Sequence, residues 1–355
     1  MVSLLSIAEL RAGTQGVRVP ARVHGQVYSL LQKETQQKKP YWELILADAE
    51  ARFVLRAWSD SPSYKQCVEL SQGAFLEVTG EFESSLTYGL DAKSWSCRAL
   101  EPDEIEALLA GPKSLREKQA LDYAYIADCA ARIADPRLNA LCAMFLEELG
   151  ERFRRTAAAR NNHHARRGGL VEHTAQMMRS AEAICSAYPT LNRDLMTAGV
   201  LLHDSGKLWE NSLPADGFIM PYDERGEMMG HIAIGMELTN RLWRQLAERP
   251  EHEEWKKMSP RIEEVRLHLT HLILSHHGEL QYGSPVLPKT PEAFALHYID
   301  NLDAKMEMLS AAYQNAGLLA PRIYEKTWPL PTNLIAPLPV WTPETPQSAP
   351  DLPAA

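Results

Sequence analysis

The sequence predicts an α+β chain of several domains: a five-stranded, barrel-like β region at the N-terminal end, followed by an all-α helical bundle. Three observations predict it. Up to about residue 100, apolar and polar residues alternate in short runs separated by turn signals. After Pro102 the apolar positions recur with the 3.6-residue period of a helix. The chain has 355 residues, enough for two or three domains.

The strands come first. Residues 17–19 and 23–28 alternate, and residues 41–46 and 51–57 flank Asp48-Ala49-Glu50, a hairpin turn. A short helix is expected from Pro62 to Leu70, then strands over 73–82 and 88–98. Five strands with a helix between the third and fourth is the order of an OB-fold barrel, with an SH3-like barrel as competitor. Leu121, Ala124, Tyr125 and Cys129 then suit one helix, and Leu138, Leu141, Cys142 and Phe145 the next. Helical character continues to about Leu319, with boundaries expected at Asp135-Pro136 and Tyr188-Pro189. The stretch Asn211 to Gly226 is the longest internal loop, a candidate rim or lid. From Trp328 onward prolines dominate and an extended tail is expected, with Leu334, Ile335 and Trp341 free to pack on the body. The division expected is 1–100 for the barrel, 101–160 for a helical connector, 161–320 for the bundle and 321–355 for the tail.

Composition sets bounds. Hydrophobic residues make up 45% and charged residues 23%, as in ordinary globular proteins. The net charge of −9 argues against a protein that only coats nucleic acid, while leaving room for one local cationic groove. Five cysteines without a CxxC pair read as buried reduced thiols. No basic start with a sustained apolar core precedes residue 20, and no run reaches the ~20 apolar residues of a membrane span. A cytoplasmic location without membrane contact is expected.

The chemistry concentrates in His173, His203-Asp204, His231, His276-His277 and Asp300, at intervals of 24 to 45 residues. About 30 residues is one helix out and one back, so such spacing returns each side chain to the same end of a bundle. Most of these residues adjoin a glycine that ends or begins a helical segment. An Asp at the end of the apolar run Val200-Leu201-Leu202 is costly to bury without a partner, and a metal removes that cost. A His/Asp set without Cys suits a hydrolytic rather than a structural zinc site, with Mn, Fe, Co or Zn as candidates. Six or seven ligands exceed the needs of one ion, so two ions ~3.5–4 Å apart are expected, bridged by Asp204. His268 and His271, on the same helix as His276, read as non-ligands, and His252 and His24 lack supporting context.

This ordered set, with Ser205-Gly206-Lys207 after His203-Asp204, resembles the HD-domain superfamily of metal-dependent phosphohydrolases. Further similarity lies in Asn162-His163-His164, Gly168 to Thr174, Gly230-His231-Ile232, Ser275 to Glu279 and Tyr298 to Asp303. With an OB-like domain in front, the chain resembles the YhaM-type 3′→5′ exoribonucleases over roughly residues 15 to 315. The resemblance implies His173, His203, Asp204 and Asp300 on one ion, His231, His276 and His277 on a second, and Lys207 against a phosphate. It makes Asp204 and Lys207 the catalytic candidates and Mn2+ the first metal candidate, with Fe, Co, Ni, Zn or Mg as others. The proline-rich tail has no match in that family, and no GYP follows His276-His277, which disfavours the cyclic-dinucleotide subclass.

Single-stranded RNA or DNA is the expected partner. Arg152, Arg154, Arg155, Arg160, Arg166 and Arg167 precede His173 and read either as a solvated helix face or as a phosphate track. Arg166, Arg167, His163 and His164 are its candidate substrate contacts. On the barrel, Trp42 and Phe53 read as core, while Tyr28, Tyr41 and Trp58 are candidate base stackers. A phosphohydrolase of free nucleotides and a non-catalytic OB adaptor are the competing readings. Homo-oligomerisation stays open.

Overall fold

The computed structural model describes residues 2–14, 17–85 and 89–341. The N-terminal region contains β1 (Ser3–Leu4), α1 (Ile7–Gly13), β2 (Val19–Glu34), β3 (Pro40–Ala47), β4 (Arg52–Trp58), α2 (Pro62–Glu69), β5 (Phe75–Ser85) and β6 (Gly89–Ala99). The antiparallel sheet runs β4-β3-β2-β5-β6, and β1 lies parallel to β2. The five expected strands and the helix between the third and fourth are all present. Strand β1 and helix α1 were not foreseen. The period-two pattern fixes one buried face: Val23, Leu44, Leu46, Phe53, Leu55 and Val78 are all core. Trp42, expected in the core, is partly buried against that cluster.

Among the described residues no ladder joins β4 to β6, so the sheet is open. The two edges still touch through side chains. Trp95 Nε1 donates to the Arg56 carbonyl at 3.1 Å, and Arg56 pairs with Asp91 at 2.9 Å. The β3–β4 turn is held by Asp48, whose Oδ1 accepts from the amides of Glu50 and Ala51 and whose Oδ2 accepts from that of Ile7. One side chain thus ties the hairpin to the start of α1.

The helices follow: α3 (Pro102–Ala110), α4 (Lys113–Ala131), α5 (Pro136–Phe153), α6 (Gly169–Ala187), α7 (Arg193–Leu202), α8 (Lys207–Glu210), α9 (Glu224–Ala247), α10 (His252–Trp255), α11 (Ile262–Ser275) and α12 (Pro291–Asn315). Starts are written in side chains. Asp135, Asn192, Asp223 and Thr290 each accept an amide of the first turn of α5, α7, α9 and α12. Leu138, Leu141, Cys142 and Phe145 recur at i, i+3, i+4 and i+7, and all are buried in the main core with residues of α6, α7, α9, α11 and α12. No helix of the described residues is long and apolar enough to cross a membrane.

The loop between α8 and α9 is pinned rather than free. Phe218 packs with Ala47 and Ala49, and its amide donates to Gln26 Oε1 at 2.6 Å, so the loop joins the helical region to the sheet. Beyond α12, short strands β7 (Leu318–Ala320), β8 (Ile323–Tyr324) and β9 (Leu334–Ile335) form a three-stranded sheet. Tyr313 Oη donates to the Ile335 carbonyl at 2.9 Å. Trp341 is exposed and does not pack. The prolines beyond residue 341 lie outside the described residues. The five cysteines are free thiols, and all but Cys97 are buried.

Candidate metal centre

The ligand candidates meet because of where helices stop and start. His173 sits in the second turn of α6, His203 caps the end of α7 and His276 caps the end of α11. His231 follows Gly230, whose φ of 69° interrupts α9 and restarts it; a side chain at that backbone geometry would be strained. Gly206 touches the His231 carbonyl so closely that a Cβ has no room. That contact locks the turn carrying Asp204 against the turn carrying His231.

Each imidazole has its Nδ1 committed to an acceptor. His203 Nδ1 donates to the Val200 carbonyl at 2.9 Å and His276 Nδ1 to the Ile273 carbonyl at 2.7 Å. His277 Nδ1 donates to the Tyr282 carbonyl at 2.6 Å. His231 Nδ1 meets Glu210 at 2.8 Å and His173 Nδ1 meets Asp303 at 2.7 Å. In a neutral ring such partners select the Nδ1–H tautomer, which leaves Nε2 as the atom available to a metal.

The lone pairs converge on Asp204. Its Oδ2 lies 3.2 Å from His203 Nε2 and 3.6 Å from His173 Nε2. Its Oδ1 lies 3.6 Å from His231 Nε2 and 3.6 Å from His276 Nε2. Asp300 Oδ1 is 3.4 Å from His173 Nε2. His231 and His277 bring their Nε2 atoms within 3.2 Å of each other, two acceptors face to face. The Nε2 atoms of His173, His203 and His276 and Asp204 Oδ1 are buried without a hydrogen-bond partner, while Asp204 Oδ2 meets the ammonium of Lys207. Orphaned acceptors in such number are costly unless a cation sits among them.

The electrostatics agree. Burial alone would lower His173, yet Asp300 and Asp303 raise it to about 9. Burial alone would raise Asp204 and Asp300. Lys207 and His203 hold Asp204 well below the usual carboxylate range, and His173 and His203 do the same for Asp300. Burial pushes His276 and His277 down, toward the neutral form that binds metal. Three carboxylates, Asp204, Asp300 and Asp303, gather around His173, and the Nζ of Lys207 lies 2.6 Å from Asp204 Oδ2. The His/Asp donor set and its unmet negative charge fit a divalent ion. His24, Glu77 and Glu104 form another potential donor group, but Arg22 and Arg98 already neutralise Glu77.

The other predicted site residues fall differently. His164 is buried and shares Asp303 with His173, at 3.0 Å from Oδ2. The His163 ring lies 5.6 Å from that of His173, with its Nδ1 buried and unpartnered; burial, Lys207 and His173 push it down to about 3. Arg166 makes a bidentate pair with Glu172 and a single bond, from Nη1, to Glu307 at 2.7 Å. Arg167 and Arg160 donate to loop carbonyls, Pro214 and Ala215 for the first, Met220 and Pro221 for the second. Arg152 donates to the Leu208 carbonyl, and Arg154 lies over the Tyr123 ring. The arginine run is therefore no continuous solvent-facing track: most of its members tie loops to the body. Tyr41 and Trp58 are cross-strand neighbours with ring centroids 4.9 Å apart, and Trp58 is exposed. Tyr28 lies beneath the guanidinium of Arg52.

Two positioning residues escaped the sequence reading. Asp303 orients His173 and His164, and Glu210 orients His231. Asp303 carried a signal, since it lies one helical turn beyond Asp300. Glu210 carried none, because its partner is 21 residues away.

Residues 170–305 match the HD domain family. Three proteins described as 3′-5′ exoribonuclease YhaM are similar along most of the chain. The one from Geobacillus sp. (strain WCH70) is 32% identical over 308 residues, covering 84% of this chain and 88% of that protein. The one from Oceanobacillus iheyensis is 32% identical over 283 residues, covering 79% and 82%. The one from Shouchella clausii is 32% identical over 311 residues, covering 85% and 89%. Among solved structures, asparaginyl-tRNA synthetase from Pyrococcus horikoshii matches 42% of this chain and 35% of its own at 14% identity, with a TM-score of 0.23, too low to indicate a shared fold. With similarity spanning both the sheet and the helices that carry the histidines, the chain belongs to the YhaM family of HD-domain 3′-5′ exoribonucleases.

Proposed function

We propose that the protein is a metal-dependent exoribonuclease that hydrolyses single-stranded RNA from its 3′ end. One observation carries the metal chemistry: four imidazoles, those of His173, His203, His231 and His276, turn their Nε2 atoms toward the oxygens of Asp204, and His277 turns its Nε2 toward that of His231. The RNA substrate and the direction of attack rest on the relatives. His173, His203 and Asp300 would hold one ion on the Oδ2 side of Asp204. His231, His276 and His277 would hold a second on the Oδ1 side. A divalent ion, Mn2+ first among candidates, supplies Lewis acidity and a nucleophile from water at neutral pH.

The chain's own residues do the rest. Asp204 spans the two donor sets and keeps them in register. Lys207, held beside Asp204, places a positive charge where a phosphodiester would gain it as negative charge develops. His163 stays neutral and can offer a hydrogen bond to the substrate without adding charge. The N-terminal strands read as an OB-like barrel, whose edges meet at Arg56, Asp91 and Trp95. Its Tyr41–Trp58 pair offers one base a stacking surface worth about 1–3 kcal/mol.

The test is product analysis on 5′-labelled single-stranded RNA with Mn2+, alongside single-stranded DNA and duplex controls. A ladder of progressively shortened 5′-labelled products is expected. Turnover confined to free mononucleotides would instead make the protein a nucleotide phosphohydrolase.

A further inference from the structure

A cleft of about 910 Å³ lies between the sheet and the helical region, on the side of the metal centre marked by His164 and Arg166. Its walls carry six Lys and Arg residues against four Asp and Glu, in a chain whose net charge is −9. Three of the four acids are already engaged. Glu172 and Glu307 are held by Arg166, and Asp48 by three backbone amides.

Four of the guanidiniums are not matched in this way; one of them, Arg11, donates to the Arg52 carbonyl. Arg52, Arg160 and Arg167 make no ion pair with a carboxylate among the described residues. Arg52 lies 3.8 Å above the Tyr28 ring; Arg160 lies 4.1 Å above the Tyr222 ring and, like Arg167, donates to backbone carbonyls. Burial lowers Arg52, and the charge of Arg160 lowers it further; burial and Arg155 do the same to Arg167. Partly buried cations that repel one another are unfavourable in the empty protein and favourable around an anion.

The cleft also leads to the right place. Residues 161–167 form a wall shared with the metal centre. Asn162 and His164 line the cleft, while His164 shares Asp303 with His173 and the His163 ring lies 5.6 Å from that of His173.

We propose that this cleft is the channel for the RNA backbone upstream of the scissile end, its phosphates running past Arg52, Arg160 and Arg167. The proposal rests on the exoribonuclease reading and adds the path of the strand. It gives the sheet a second role, since Arg52 at the start of β4 forms one wall.

The experiment compares a 20-nucleotide single-stranded RNA with a dinucleotide, across a salt series, in the full chain. In Arg52→Gln the ratio of kcat/KM on the 20-mer to that on the dinucleotide should fall about tenfold. The slope of log affinity for the 20-mer against log salt should flatten by about 0.7, the value for one phosphate contact on a single strand. Arg52→Lys should keep the salt slope. Ser310→Glu, at an exposed position on the opposite wall, should raise KM for the 20-mer without risk to folding. Equal losses on the two substrates, or an unchanged 20-mer in both Arg52→Gln and Ser310→Glu, would overturn the channel. If the wild type cleaves neither substrate, the exoribonuclease reading falls. Fluorescence anisotropy of the same 20-mer then decides the channel separately, by whether Arg52→Gln lowers its affinity and flattens its salt slope.

Discussion

Asp303 Oδ2 accepts from His173 Nδ1 at 2.7 Å, one helical turn beyond the ligand candidate Asp300 on α12. The carboxylate fixes which nitrogen of His173 carries the proton and turns the other toward Asp204 and Asp300. Because it also meets His164 Nε2, it links the segment before α6 to the metal centre.

Asp303→Ala should therefore weaken metal binding without removing a ligand. Loss of an outer partner of a ligating histidine typically costs 10–100-fold in affinity. Calorimetric titration with Mn2+ measures it directly. Much of the activity should return at saturating metal, whereas unchanged Mn2+ affinity would show that His173 is oriented by its packing alone.

Metal removal should lower stability, because the orphaned acceptors and three carboxylates are left facing one another. A ligand present at 100 times its dissociation constant adds about 2.7 kcal/mol to the folded state. Thermal unfolding with Mn2+ against EDTA should thus show a clear drop in Tm on chelation. In Asp204→Ala that difference should collapse and hydrolysis should cease, while affinity for RNA stays within about a factor of ten. A full Mn2+-dependent shift in Asp204→Ala would remove Asp204 from the centre.

Gly206→Ala tests how the two donor sets are joined. The new Cβ would collide with the His231 carbonyl, a backbone atom that cannot step aside without moving His231 and α9. Activity should drop at least tenfold, since misplacement by about 1 Å costs on the order of 10²-fold. Circular dichroism should meanwhile show the helices intact. Wild-type kinetics in this variant would mean that α9 can shift freely.

The gathering of the candidate ligands was legible because its parts are local. Most candidates stood close to a glycine or at the end of an apolar helical run, and an i, i+3, i+4 pattern such as Leu138, Leu141, Cys142 and Phe145 announces where a helix lies. The arginines were less legible. Arg166 and Arg167 look alike in sequence, yet one pairs with Glu172 and Glu307 and the other holds the loop at Pro214. Their partners are set by tertiary contacts, up to 141 residues away for Arg166, which no local pattern encodes. The open edge between β4 and β6 was illegible for the same reason: strand order can be read from spacing, but closure depends on how far the sheet coils.

Asp135 and Arg137 make a prediction about pH that lies outside the site. Arg137 is almost wholly buried and donates twice to Asp135, through Nε at 2.9 Å and Nη2 at 2.6 Å, and through Nη1 to the Pro260 carbonyl. Burial would raise the Asp135 carboxyl, but these bonds outweigh it and hold the group below its ordinary 3.8. A carboxylate depressed in the folded state binds its proton more weakly there than in the unfolded chain. Its contribution is therefore complete above the unfolded value and is lost as pH falls through and below it. Urea midpoints should decline between about pH 4 and pH 3 in the wild type. Asp135→Ala leaves a buried guanidinium without its carboxylate and should cost about 3 kcal/mol at pH 7. Its difference from the wild type should then narrow at pH 3, where the same carboxyl in the unfolded chain has taken up its proton. A constant difference across that range would mean that Asp135 acts as the helix cap of α5, through the Arg137 amide, and not as a charge.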